Sequence, residues 1–180
     1  MKKIDLAGIW QLYTDKPGDA IAAQVPGDNY SALLSAQVIP DPYYGTNEDK
    51  VQWVAERDWT WERKFTLSAN ELAGNGQFLH CESLDTLAEI RLNGHLVAHT
   101  DNMFRRYRFE VKQWLRLGEN QLTITCRAVA PEVKQRASKL PFPVPWTQGN
   151  FRIDHLNLLR KVQCSSGWDW GICLPVSGIA

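Results

Sequence analysis

The chain has 180 residues, 44% of them hydrophobic, with 20 Lys and Arg set against 20 Asp and Glu. A balanced charge without long single-sign runs gives no field to gather nucleic acid or an anionic membrane surface, so neither is expected as a partner. The unbroken apolar stretches fall far short of the ~20 residues that span a bilayer, and the length suits one domain around one core.

The N-terminus, MKKIDLAGIWQLY, places Asp5 where a secretory signal needs its apolar region, so no export signal is read and the cytoplasm is the expected location. GIWQLYT reads as a strand, and Asp28, after Pro26-Gly27, caps a short helix over 28–35. From 36 to 58 no period holds, and Pro40, Pro42 and Gly45 predict an ordered or semi-ordered loop. WTWERKFTL then sets Trp59, Trp61, Phe65 and Leu67 on one face against Thr60, Glu62, Lys64 and Thr66, with Arg63 the exception. QFLHCESL adds a strand, and LAEIRLNGHLVAHT reads as a hairpin turning at Asn93-Gly94. YRFEV and NQLTITCRAV alternate in the same way, APEVKQRASKL predicts a helix with Pro131 in its first turn, and the proline-rich LPFPVPWTQGN predicts a second loop. Roughly seven or eight short antiparallel strands with one or two short helices describe an all-β, two-sheet sandwich of the jelly-roll type, whose strand order the pattern does not give.

Cys81, Cys126, Cys164 and Cys173 form no CxxC pair or tight ligand spacing, and a chain that is not exported keeps them as thiols. His95 and His99 would align as metal ligands on a helix, but they follow a hairpin turn, and in a strand such a pair is spread nearly twice as far. Neither a metal site nor a cofactor is expected.

Eight tryptophans remain to be sorted. Trp10, Trp59, Trp61 and Trp114 lie in or beside alternating strands, where burying ~150–250 Å² of indole explains them. Trp53, Trp146, Trp168 and Trp170 lie in irregular stretches and are candidates for a surface role. The sharpest feature is Asp169 in GWDWG, a carboxylate between two indoles that must recover its lost hydration from donors or a cation. Two readings are open. Arg160 or Lys161 in LLRKVQC pairs with Asp169 and braces the turn, or Asp169 accepts from sugar hydroxyls while an indole packs on the C–H face of the ring.

LAGIWQLY, WTWERKFTL, LNGHLVAHTDNMFRRYRFEV, LGENQLTI and LRKVQCSSGWDWGICLPVSGI, in this order, resemble the N-terminal domain of family 2 glycoside hydrolases, and GWDWG resembles the β-mannosidase branch. The resemblance implies a galactose-binding-like jelly roll, residues 1–180, that opens a longer chain whose TIM barrel carries two catalytic glutamates. It implies that Asp169 helps to form the subsite for a terminal β-mannoside, that Trp168 and Trp170 shape the same edge, and that Arg160 supports the motif. No catalytic residue is assigned here, and the partners are carbohydrate and the enzyme's own downstream domains. Ile172-Cys173, where proline is frequent in the family, and Ala180, where tryptophan is usual, depart from the pattern.

Retaining glycosidases use two carboxylates ~5–5.5 Å apart, and a TIM barrel takes ~250 residues, so the chemistry does not fit in this chain. The glutamates at 48, 56, 62, 71, 82, 89, 110, 119 and 132 are read as solvated surface. Two rival functions are a free-standing carbohydrate-binding module using Trp53, Trp146 and Trp168 as a platform, and a scaffold domain whose tryptophans cover a partner.

Overall fold

The computed structural model describes residues 3–15, 17–146 and 152–180, so the end of the proline-rich stretch, 147–150, lies outside the described residues. The chain begins with strands β1 (Gly8–Tyr13), β2 (Ile21–Val25) and β3 (Gly27–Asp28), helices α1 (Asn29–Ser35) and α2 (Asn47–Lys50), strand β4 (Trp59–Leu67) and helix α3 (Ala69–Leu72). Strands β5 (Phe78–Cys81), β6 (Leu84–Asp85), β7 (Ala88–Leu92), β8 (His95–Thr100), β9 (Tyr107–Glu110) and β10 (Gly118–Cys126) follow. Helix α4 (Val129–Ser138) and the short strands β11 (Ser166–Trp168), β12 (Gly171–Cys173) and β13 (Gly178–Ile179) complete the order.

The main sheet is antiparallel in the order β2-β1-β4-β10-β7-β8. Its register is fixed by one cross-strand row, Ile21, Leu12, Trp61, Ile124, Ile90 and Ala98, which runs through all six strands. Slipping any strand by one residue would turn its apolar set to water, so the alternation specifies the pairing. The second layer is built from smaller sheets, β3-β13-β6 and β5-β9. Leu84, Ile179 and Cys81 from those strands meet Tyr30 and Leu33 of α1 and the main-sheet residues in one core. This is the all-β sandwich that the alternation anticipates.

Local chemistry places the elements. Asp28 caps α1, its carboxylate accepting from Ser31 N at 2.9 Å. Asn93 and Gly94 both have positive φ, 51° and 84°, the type I′ geometry that suits the twist of a hairpin. The Asn93 side chain donates to Trp114 O and to Asn120 Oδ1, each at 2.8 Å, and accepts from Gln121 N at 2.9 Å. The LNG and LGEN pieces are therefore two halves of one knot joining the β7–β8 turn to β10. Arg63, on the core-side parity of β4, is accommodated by donating to Ile9 O.

The aperiodic stretch at 36–58 is an ordered connection that holds short helical pieces. It contains α2 and a 3₁₀ turn at Gln52–Glu56, and Val51 and Val54 are fully buried in the main core. Each helical piece is about one turn long, too short to show a period. Trp10, Trp59 and Trp61 are buried as expected, and Trp114 packs at the edge of the core. A second, smaller cluster joins Val129 and Val133 of α4 to Ile153, Leu156 and Leu159, which leads the chain back to its C-terminal segment.

Candidate functional site

The GWDWG motif is a hairpin. β11 and β12 pair with each other, Ser166 opposite Cys173 and Trp168 opposite Gly171, and Asp169 and Trp170 form the turn. Gly167 has φ +91°, a conformation a side chain would resist, and Gly167 is buried just below the tip. The tip itself is exposed: Trp168 shows 38% and Trp170 74% of its surface, and Asp169 is exposed between them. The two indoles lie 5.1 Å apart between ring centroids, tilted by 37°.

Of the two readings left open for Asp169, an internal brace is not what the fold builds. Among the described residues, Asp169 forms no ion pair or hydrogen bond with Arg160 or Lys161. Lys161 is committed elsewhere: its side chain is fully buried, and Nζ donates to Asp85 Oδ2 and to Val176 O, both at 2.5 Å. Burial holds the Lys161 ammonium below the usual lysine range, with Asp85 opposing that shift. The other Asp85 oxygen accepts from Thr86 Oγ1. This buried pair ties the start of the C-terminal segment to β6 and to the strand-like residues just before β13. Arg160 is exposed, its backbone bridges Asn102 and its carbonyl accepts from Met103 N at 3.0 Å.

The end of the chain is equally well held. Asn29 Oδ1 accepts from Ser177 N at 3.0 Å, and Ser83 and Ala180 exchange backbone hydrogen bonds of 2.8 and 2.9 Å. A side chain at Gly178 would collide with Gly27 O, so the SGI sequence is a close backbone approach between β13 and β3.

Glu48 is the residue that sequence reasoning placed wrongly. Expected as solvated surface, it is half-buried, and Oε1 accepts from Cys173 N at 2.8 Å and from Arg152 Nε at 3.2 Å. Gln52 Nε2 donates to Cys173 O at 2.9 Å and to Glu48 O at 2.8 Å. The available signal was the spacing of Glu48 and Gln52, four apart and so on one side of a helical turn. Glu89, its side chain 18% exposed and paired with Arg91, is half-buried as well, whereas Glu62 pairs with Tyr13 and Glu132 with Arg136.

Two of the three platform tryptophans are engaged by other rings. Trp53 packs on Trp59 with centroids 6.0 Å apart and carries Arg57 5.5 Å above its ring, and Trp146 packs on His155 at 5.2 Å. Only Trp168 of that trio is among the exposed large apolar side chains of the described residues. His95 and His99 project from exposed positions of β8, and no group of three or more potential metal ligands occurs among the described residues. No helix among those residues is long and apolar enough to cross a membrane.

Comparison with known proteins gives this geometry a family. A β-mannosidase of Capra hircus is 34% identical over 183 residues, covering 98% of this chain and 20% of that protein. A probable β-mannosidase of Caenorhabditis elegans is also 34% identical, over 184 residues, with the same coverage of 98% and 20%. The crystal structure of a β-D-mannosidase from Dictyoglomus thermophilum superposes with a TM-score of 0.91 at 36% identity, over 99% of this chain and 22% of that one. The chain thus spans about a fifth of the length of the relatives it matches. The model of the glycosyl hydrolase 2 galactose-binding domain-like family matches residues 10–180. On that match, which runs from the first core strand through the indole-flanked hairpin to the last residue, the chain belongs to the glycosyl hydrolase 2 galactose-binding domain-like family.

Proposed function

We propose that residues 1–180 are the N-terminal, noncatalytic domain of a β-mannosidase-type glycoside hydrolase, a longer protein that removes terminal nonreducing β-D-mannose with retention of configuration. The observation that carries this reading is the hairpin tip, where Asp169 is directed to solvent between two exposed indoles while the nearby buried cation, Lys161, is spent on Asp85. An exposed carboxylate beside indole faces suits the two halves of a pyranose, hydroxyls that donate and a C–H face that packs. On this reading Asp169 accepts from hydroxyls of the terminal mannose, Trp168 and Trp170 close the edge of the subsite, and Arg160 supports the stem. The nucleophile and the acid/base come from a barrel of ~250 residues in the remainder of the protein, a length the relatives have to spare. We place the protein in the cytoplasm, a compartment that would keep its thiols reduced.

A free-standing sugar-binding module fits less well, because Trp53 and Trp146 are packed on other rings. The purified 180-residue chain is expected to leave an aryl β-mannoside intact and the longer protein to cleave it. Hydrolysis by the chain alone, with host enzyme excluded, would place the chemistry here and overturn the proposal.

A further inference from the structure

A two-stranded hairpin with three residues per strand does not hold its own position in water. Among the described residues β11 and β12 pair only with each other, so something outside the sheets must fix where the tip points. The backbone shows where that hold is applied. Leu174 N donates to Ser165 O at 2.8 Å, one step outside the Ser166–Cys173 pair. The next residue in is Cys173, opposite Ser166, with one N–H and one C=O to satisfy. Both are met from the body of the domain, the N–H by the Glu48 carboxylate and the C=O by the Gln52 amide.

We infer that Glu48 and Gln52 are positioning residues that act as a substitute third strand and set the place of Asp169. The two side chains reproduce the donor and acceptor pattern a neighbouring strand would offer. They are also braced. Gln52 Nε2 bonds Glu48 O, Arg152 neutralises the Glu48 carboxylate, and Arg152 Nη1 reaches Asp49 Oδ1 at 2.5 Å. The side chain of Cys173 is fully buried, so the clamp holds the hairpin at a residue the domain encloses. Between Cys173 and the turn lie only Ile172 and Gly171, and a shift at the clamp is passed to Asp169 with little chain to absorb it. A displacement of about 1 Å at a binding group can cost on the order of 100-fold in rate.

This inference rests on the sugar-subsite reading for its catalytic consequence but not for its structural one, and two measurements on the complete protein separate them. Hydrogen exchange is followed by mass spectrometry on the peptide covering residues 166–174, with β10 as the control, and kcat/KM is measured on an aryl β-mannoside. Glu48→Ala and Gln52→Ala should accelerate exchange in the hairpin peptide by about tenfold or more while β10 is unchanged. Both should lower kcat/KM by on the order of 10–100-fold. Glu48→Gln, whose carbonyl still accepts from Cys173 N, should keep the protection and most of the activity. Unchanged exchange in the hairpin of Glu48→Ala would overturn the clamp whatever the enzyme does. Accelerated exchange with wild-type kcat/KM would overturn the positioning role, and an unimpaired Asp169→Asn enzyme would show that the subsite reading is what failed.

Discussion

Replacing Lys161 by methionine isolates the most consequential polar contact of the C-terminal segment. Methionine keeps the unbranched apolar stem in a site where the lysine side chain is fully buried, so packing is largely conserved and the change removes the ammonium. What is left behind is the Asp85 carboxylate, only 10% exposed, with Thr86 Oγ1 as its remaining side-chain donor, and a Val176 carbonyl that has lost the Nζ donor. Removing one partner of a buried pair costs about 3–5 kcal/mol because the surviving charge stays buried. For a domain of this size each kcal/mol moves Tm by about 2–4 °C, so Lys161→Met should melt roughly 6–20 °C below wild type. Asp85→Asn combined with Lys161→Met removes the orphaned charge and should recover part of the loss. Urea unfolding read by tryptophan fluorescence measures all three variants. A Lys161→Met protein within about 1 kcal/mol of wild type, or a double variant no better than the single, would refute the assignment of the pair as the anchor of this segment.

Thiol and acid titrations test other parts of the fold. Burial pushes the Cys81 and Cys126 thiols up to about 12 and raises Cys173 as well, whereas Cys164 is exposed. With a thiol reagent at neutral pH, one of the four cysteines should react rapidly in the folded chain and the rest only after denaturant is added. Glu89 is held below its ordinary 4.5, first by the hydrogen bond from Arg91 and then by the charges of Arg91, His99 and Arg127, against the opposing effect of burial. A depressed folded-state value means that its stabilisation is complete above the unfolded value of 4.5 and is lost as pH falls through the lower folded one. Glu89→Gln should therefore flatten the acid limb of stability below that pH, and an unchanged limb in urea titrations would contradict the pairing.

The sheet was legible in the sequence because its signal is redundant. WTWERKFTL and NQLTITCRAV each repeat the alternation often enough to show which face is buried, and Asn93-Gly94 names its turn by chemistry alone, although the strand order was not readable. The C-terminal half of the site was legible only in part. The pattern around GWDWG raises the question of what satisfies Asp169, but nothing local distinguishes Arg160 from Lys161, or either from a distant carboxylate. The true partner of Lys161 is Asp85, 76 positions earlier, and such a pairing becomes visible only when β6 and β13 share a sheet. Glu48 was misplaced for a related reason. In the sequence it is one acid among several in a charged turn, and its role arises because β12 runs past with an N–H to spare.

The central claim is that Asp169 recognises sugar within a cleft completed by other domains, and the Asp169→Asn variant of the complete protein tests it most directly. Losing a charged acceptor for a sugar hydroxyl is worth about 1.5–3 kcal/mol, so kcat/KM on an aryl β-mannoside should fall by roughly 10–150-fold with Tm unchanged, since the carboxylate stands exposed at a turn. A fully active Asp169→Asn enzyme, or one that loses activity only by unfolding, would contradict the account.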